Sequence, residues 1–189
     1  MKNVAVFASG SGTNFEAIIQ AIEKNELECN CKILISDKPS CYCIERAKNH
    51  NIKYFAFNPK DYGSKKEYEE EIIKILKEEE VDLVVLAGYM RLISETLLEA
   101  YENKIINIHP ALLPSFKGKD GIKQAYDFGC KVFGITIHYV NIEMDGGKII
   151  AQDAFRAEKD DNLETIEAKI HALEHKLYVE TLKELLKED

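Results

Sequence analysis

The stretch Val4–Asn14, VAVFASGSGTN, passes from a short apolar run into a turn that holds two glycines. Val4–Ala8 has the length and composition of a buried strand. Beyond the turn, apolar side chains recur at the spacing of one helix face, at Phe15, Ile18, Ile19 and Ile22. A strand, a tight turn and a helix in succession indicate the first unit of an α/β fold.

The alternation of strand and helix patterns continues along the chain. Further strands are predicted at Lys32–Ile35, Lys53–Phe57, Asp82–Ala87, Ile105–Ile108, Val132–Val140 and Ile149–Gln152, with a hairpin between the last two as one option. Helix patterns lie near Ile44–Lys48, after a capping box that begins at Ser64, and from Asn162 onward. We therefore expect residues 1–189 to form a single α/β domain, with a mostly parallel sheet and helices on both faces.

Composition narrows the classes of function. The chain of 189 residues has a net charge of −8 and no block rich in Lys and Arg, so it is a poor candidate for binding long nucleic acid. Its longest apolar runs, such as Leu83–Ala87, have the length of strands and are too short to span a membrane. The first residues lack the layout of a signal peptide, and by default we expect a cytoplasmic protein.

The five cysteines predict neither a metal site nor a disulfide framework. One residue separates Cys29 from Cys31 and Cys41 from Cys43, whereas roughly two to four residues separate paired zinc ligands. Cys130 stands alone, and the odd count argues against paired bridges. We expect free thiols and no bound metal.

The glycine turn is the first candidate for a binding site. Gly12, Thr13 and Asn14 lie where a strand passes into a helix, and a helix start offers free backbone N–H groups and a positive dipole end to an anion. The dinucleotide fingerprint is incomplete, because Phe15 stands where its third glycine belongs. From these residues alone, an anion site and a plain tight turn both remain open.

The second candidate is the stretch Asn107-Ile108-His109-Pro110 at the end of a buried strand. Side chains alternate along a strand, so Asn107 and His109 share a face. An amide and an imidazole side by side can bind an oxyanion and move protons, although a hydrogen-bonded pair that merely ends the strand is the alternative. Asp145 lies in an Asp-Gly turn and can take part in catalysis only if the fold brings it to His109. His138, His171 and His175 are interpreted as structural or solvated.

The sequence resembles the folate-dependent formyltransferases, and within them the phosphoribosylglycinamide formyltransferase family. Asn-x-His-Pro followed by Leu-Leu-Pro, together with Asp-Gly-Gly, is specific for the wider class, and the Ser-Gly-Ser-Gly-Thr-Asn loop narrows it to that family. The resemblance covers nearly the whole chain and is carried by Val6–Asn14 (VFASGSGTN), Asp82–Ile93 (DLVVLAGYMRLI), Ile106–Ser115 (INIHPALLPS) and Gly134–Ile149 (GITIHYVNIEMDGGKI).

The resemblance implies a Rossmann-like formyltransferase domain of purine synthesis. Its co-substrate would be 10-formyltetrahydrofolate and its acceptor the amine of glycinamide ribonucleotide, with no metal, no nucleic acid and no membrane involved. Asn107, His109 and Asp145 match the catalytic trio of the family. Gly12, Thr13, Asn14 and Glu174 match the residues that bind the ribonucleotide and its phosphate. Lys65, Met90, Arg91, Leu92 and Ile93, together with Asn107, match the residues around the folate. The sequence leaves the assembly open, with a homodimer as one expectation.

Departures from the family pattern cluster after Leu-Leu-Pro. Asp120 stands where a histidine is usual, and Lys117 replaces a proline, which leaves the shape of this loop open. Two rival enzymes share the class. Formyltetrahydrofolate hydrolase uses water as acceptor and normally carries an N-terminal regulatory domain, and methionyl-tRNA formyltransferase needs a part that binds nucleic acid. A non-catalytic nucleotide-binding module is the alternative from another class, and the complete trio argues against it.

Overall fold

The computed structural model describes residues 1–187. Within them, the strands are β1 (Lys2–Phe7), β2 (Cys29–Ser36), β3 (Lys53–Ala56), β4 (Leu83–Leu86), β5 (Ile105–His109), β6 (Val132–Tyr139) and β7 (Ile149–Arg156). The α-helices are α1 (Thr13–Glu23), α2 (Tyr42–Asn49), α3 (Lys65–Glu78), α4 (Glu95–Ala100), α5 (Gly121–Phe128) and α6 (Leu163–Leu185), and a short 3-10 helix covers Pro59–Asp61.

All seven strands form one sheet in the order β3-β2-β1-β4-β5-β6-β7. The pairs from β3 through β5 are parallel, whereas β6 runs antiparallel to both β5 and β7. The expected single, mostly parallel sheet is confirmed, and β6 and β7 form the hairpin that the sequence left as an option. Because parallel strands end at one edge, the loops after β1, β4 and β5 meet there.

Two apolar layers cover the sheet. Alternate side chains of the central strand β1 point to opposite faces, so Val4 and Val6 pack into one layer while Ala5 and Phe7 pack into the other. Helices α1, α2, α5 and α6 supply the first layer, and α3 and α4 supply the second. Every residue from Val4 to Ala8 is fully buried, as the apolar run predicted.

Two helices were not predicted, and the buried face of the last helix matches the sequence pattern only in its first half. Helices α4 and α5 have six and eight residues, too few to show a clear helical period. In α6, the buried positions run through Ile166, Ile170, Glu174 and Tyr178, while Leu173 and Leu177 are only half-buried. Ile166 and Ile170 are thus buried as the pattern indicated, whereas further along the helix Glu174 and Tyr178 face inward in place of Leu173 and Leu177.

Tyr178 fixes α6 to the middle of the sheet. Its side chain is fully buried, and its hydroxyl donates a hydrogen bond of 2.8 Å to the carbonyl oxygen of Leu86 at the end of β4. The carbonyl oxygen of Ile106, in β5, lies 3.5 Å from the same hydroxyl. Glu174, one turn earlier on the same face, is thereby held beside the strand ends.

Candidate active site

An open cleft of about 970 Å³ runs along the sheet edge where β1, β4 and β5 end. Its walls come from the glycine turn after β1, the loop after β4, the end of β5, the loop after β6 and one face of α6. All residues that the sequence singled out for chemistry or binding line this cleft except Lys65, which contacts its wall. The fold therefore gathers segments that are far apart in sequence.

The glycine turn is held open toward the cleft by its packing on α2. Gly12 adopts a left-handed backbone conformation (φ 71°), and an added Cβ would lie 2.7 Å from the Cβ of Cys43. Arg46 donates from Nε to the carbonyl oxygen of Ser11 at 2.7 Å, and Cys43 donates its backbone N–H to Gly10 at 3.1 Å. These contacts fix the turn so that α1 begins at the cleft with its N–H groups available to an anion.

Asn14, Glu174 and His171 form a polar group beside this helix start. Glu174 is 6% exposed, and its Oε2 accepts from Asn14 Nδ2 at 3.4 Å and lies 3.0 Å from His171 Nδ1. The hydrogen bond with Glu174 raises the pKa of His171. Asn14 Oδ1 is buried and has no hydrogen-bond partner among the described residues. His171, interpreted from sequence as structural or solvated, thus lines the cleft.

His109 and Asp145 are brought together although a long stretch of chain separates them. Nδ1 of His109 lies 3.5 Å from Oδ2 of Asp145, and both side chains are largely buried. The same carboxylate oxygen accepts the backbone N–H of Gly118 at 2.7 Å. Asp145 therefore does not face solvent, as a plain turn residue would.

The hydrogen-bond partners of His109 define the roles of its two nitrogens. Nε2 lies 2.8 Å from the carbonyl oxygen of Phe116. A carbonyl can only accept, so Nε2 carries a hydrogen, and Nδ1 is the nitrogen left to exchange a proton with Asp145 or a ligand. Gly121 packs against this ring, because an added Cβ would approach Nε2 to 3.2 Å. The ring is thus oriented from two sides.

His138 belongs to the same cluster, which the sequence reasoning missed. It lies opposite Asn107 in the antiparallel pairing of β5 with β6, and Asn107 Nδ2 lies 3.3 Å from its Nε2. Its Nδ1 lies 2.9 Å from the carbonyl oxygen of Tyr139 and so carries the hydrogen. Burial lowers the pKa of His138, so the neutral ring accepts from Asn107 and orients that amide. This contact depends on the register in which β5 pairs with β6, and the sequence alone does not reveal that register.

The loop after β6 has to travel back along the sheet to deliver Asp145. Tyr139 pairs with Ile106, and His109 lies three residues further along β5, a distance of about 10 Å. Gly147 closes the loop against the end of β6, where an added Cβ would fall 1.6 Å from the carbonyl oxygen of Tyr139. Only glycine fits there, which explains why the Asp-Gly-Gly turn has its second glycine.

The segment Met90–Ile93 follows β4 and forms the wall on the other side of Asn107. Met90 and Leu92 are 70% and 57% exposed, large values for apolar side chains, whereas Ile93 is buried. Lys65, at the start of α3, donates from Nζ to the carbonyl oxygen of Leu92 at 2.8 Å. Exposed apolar side chains at a cleft wall suit a flat aromatic ligand.

The loop with the unusual residues borders the cleft between His109 and α5. Phe116 and Asp120 both have left-handed backbone conformations (φ 53° and 58°), and Gly118 has a φ of 82°. Asp120 stands at the N-cap position of α5 and lines the cleft, but its side chain makes no capping hydrogen bond. Gln124 steadies the loop by donating to the carbonyl oxygen of Lys119 at 2.6 Å and that of Lys117 at 3.3 Å.

Among residues 1–187, no group of three or more His, Cys, Asp or Glu side chains is arranged to hold a metal ion. In the same range, no helix combines the length and the apolar character needed to cross a membrane.

Comparison with known proteins gives consistent matches over the whole chain. The family model described as formyl transferase matches residues 2–182. A phosphoribosylglycinamide formyltransferase of Bacillus subtilis (strain 168) is 53% identical over 186 residues, which cover 98% of this chain and 95% of that protein. The crystal structure of phosphoribosylglycinamide formyltransferase from Bacillus halodurans superposes with a TM-score of 0.95 at 54% identity, covering 99% of this chain and 96% of the other. Glycinamide ribonucleotide transformylase 1 from Geobacillus kaustophilus gives a TM-score of 0.96 at 50% identity, with 98% and 99% covered.

Proposed function

The chain belongs to the formyl transferase family, and we propose that it transfers the formyl group of 10-formyltetrahydrofolate to the amine of glycinamide ribonucleotide. The reaction is a one-carbon transfer of purine synthesis, in keeping with the relatives that carry the name phosphoribosylglycinamide formyltransferase. The proposal extends the family assignment to a particular donor and a particular acceptor.

One observation carries the proposal. The His109–Asp145 contact, with Asn107 beside it, lies between a helix start suited to an anion and a wall of exposed apolar side chains. A phosphate on Gly12, Thr13 and Asn14 would place the amine end of the ribonucleotide toward His109, with Glu174 contacting its polar part. The folate would lie along Met90, Arg91, Leu92 and Ile93, with Lys65 at its edge.

The proposed chemistry is a direct attack by the acceptor amine on the formyl carbon. A carbon–nitrogen bond forms to the ribonucleotide while the carbonyl oxygen takes up negative charge. Asn107 donates to that oxygen, and the positive charge of protonated His109 beside it stabilises the developing negative charge. The intermediate then breaks its bond to the folate nitrogen. That nitrogen gains the proton that the amine gives up, with His109 as carrier.

Asp145 would keep His109 oriented and stabilise its protonated form in the intermediate. The distance of 3.5 Å leaves room for the contact to tighten when substrate binds. No covalent bond to the protein is needed, because the ribonucleotide supplies its own nucleophile.

The experiment that tests the function compares two acceptors with one donor. Purified protein is given 10-formyltetrahydrofolate with glycinamide ribonucleotide, or with buffer alone, and the release of tetrahydrofolate is followed. We expect release to depend on the ribonucleotide and formylated product to appear in equal amount. Release at the same rate without the ribonucleotide would identify a hydrolase instead. His109→Asn should abolish either activity and serves as the control for a contaminating enzyme.

A further inference from the structure

Two buried carboxylates flank the Met90–Ile93 segment without belonging to the proposed chemistry. Asp37, which follows β2, is 3% exposed, and Glu69, in α3, is 2% exposed. Carboxylates are rarely buried to this extent unless hydrogen bonds satisfy them, and keeping them ionised in the interior is costly. Their partners therefore indicate what they stabilise.

Glu69 binds the residues immediately after the segment. Its Oε1 accepts the backbone N–H of Ser94 at 2.9 Å, and its Oε2 accepts the Ser94 hydroxyl and the backbone N–H of Leu97, the latter at 3.2 Å. Ser94 stands at the N-cap of α4, yet its side chain makes no capping hydrogen bond of its own. Glu69 thus caps α4 from a different helix and fixes the point where the segment ends.

Asp37 acts at the other end of the segment. Its Oδ1 accepts the hydroxyl of Ser9, and that hydroxyl oxygen in turn accepts the backbone N–H of Met90 at 2.8 Å. Its Oδ2 accepts Nε of Arg91 at 3.0 Å. The carboxylate therefore orients both the backbone and a side chain of the first two residues of the segment, and it ties them to the turn after β1.

The segment lacks the regular backbone hydrogen bonds of a strand or helix, and side chains from other elements hydrogen-bond to it instead. Residues 89–93 belong to no strand or helix. Lys65 holds the carbonyl oxygen of Leu92, between the two carboxylates. Charge-assisted hydrogen bonds are stronger than neutral ones. Lys65 and Glu69 bind backbone groups of residues 92–97 directly, and Asp37 restrains residues 90 and 91 through Ser9 and the Arg91 side chain.

We propose that Asp37 and Glu69 are positioning residues for the folate, which set the backbone of Met90–Ile93 in its binding conformation before the ligand arrives. The inference rests on the proposed function in assigning the folate to this wall. An ordered wall binds without the entropy cost of ordering it during association. Neither carboxylate touches the reacting atoms in this arrangement, so their effect is on donor binding rather than on the chemical step.

The test compares Glu69→Ala with Glu70→Ala on the same helix, where Glu70 is exposed and its carboxylate lies 3.7 Å from Nζ of Lys66. Glu69→Ala should raise the KM for 10-formyltetrahydrofolate about tenfold, because the two donors of Ser94 and the buried N–H of Leu97 lose their acceptor. The KM for the ribonucleotide should change by less than about twofold. Glu69→Gln, which keeps one acceptor oxygen, should recover part of the loss, and Glu70→Ala should match the wild type.

Two readouts separate this inference from the proposed function. Hydrogen exchange at the amides of residues 89–94 should accelerate in Glu69→Ala relative to residues 10–14, and calorimetric affinity for tetrahydrofolate should fall with it. Both are measured without turnover, so they remain informative even if the wild type fails to formylate the ribonucleotide. If Glu69→Ala does not fold, Ser94→Ala removes one of the three donors and should give a smaller effect with the same selectivity. Equal losses for both substrates, or an unchanged folate KM in both variants, would overturn the inference.

Discussion

At the scale of single residues, the site depends on which nitrogen or oxygen faces which partner. Asp145 approaches Nδ1 of His109, while a backbone carbonyl occupies Nε2. Asp145→Asn keeps the shape and removes the charge. We expect kcat to fall by about 10²–10³-fold, with both KM values changing far less, because the charge is needed for the protonated imidazole of the intermediate.

Steady-state kinetics with each substrate varied in turn would measure this split. Asp160→Asn is the matched control, since Asp160 is an exposed carboxylate in the loop before α6. A variant at position 145 with normal kcat would return Asp145 to the role of a turn residue. It would leave His109 without an acidic partner in the mechanism.

Sequence reasoning reached part of this cluster and missed the rest for a physical reason. Asn107 and His109 are two positions apart on one strand, so alternation alone puts them on one face. His138 joins them only through the register of an antiparallel pair, and no local pattern sets that register uniquely. The return of Asp145 along the sheet is likewise a property of a loop that packs on distant residues.

At the scale of elements, the start of α1 shows how packing against a neighbouring helix, α2, requires glycine at position 12. Gly12 has both a left-handed backbone and a close neighbour in Cys43, whereas Gly129, after α5, has a similar φ of 86° and open space around its Cα. Gly12→Ala and Gly129→Ala therefore share the backbone cost of about 1 kcal/mol. Only the first pushes against α2 and displaces the turn.

We expect Gly12→Ala to raise the KM for glycinamide ribonucleotide at least about tenfold, since the N–H groups proposed to bind its phosphate would move with the turn. Gly129→Ala should leave that KM unchanged although it carries the same backbone cost. Kinetics combined with urea denaturation of both variants separates binding from folding. An equal KM in the two variants would remove the turn from the ribonucleotide site.

Helix starts also mark the limit of local prediction. The final helix has a reciprocal cap in which Asn162 and Thr165 hydrogen-bond to each other's backbone, and its beginning was predicted correctly from sequence. Helix α4 borrows its cap from Glu69, 25 positions before Ser94, and its six residues were not predicted. The end signal of α6 can therefore be read from neighbouring residues, whereas the cap of the short helix α4 comes from a residue that no local pattern connects with it.

At the scale of the whole molecule, Tyr178 connects the last helix with the two strands that lead into the cleft. Burial raises the pKa of its phenol, which stays a neutral donor. Tyr178→Phe leaves the carbonyl of Leu86 buried without this partner, and we expect a loss of about 1–2 kcal/mol in the free energy of unfolding. Tyr54→Phe is the control, because Tyr54 is 45% exposed.

Urea unfolding followed by circular dichroism would measure both variants, and equal midpoints would mean that the hydroxyl contributes nothing.

The overall architecture, by contrast, was predictable from the sequence. Runs that are short and apolar throughout, such as Leu83–Ala87, indicate strands buried on both faces, and their alternation with helices leaves few topologies.

Glu174 and Tyr178 occupy the same stripe of α6, one turn apart, and this placement has a consequence for how such a chain can diversify. The carboxylate lines the cleft, and the phenol hydroxyl contacts the backbone carbonyl oxygens of Leu86 and Ile106. Substitutions that change this end of the helix to suit another acceptor also disturb the contact between Tyr178 and the central strands. Selection for a new acceptor and selection for heat tolerance then act on the same residues of α6, so the two properties do not change independently at this end of the helix.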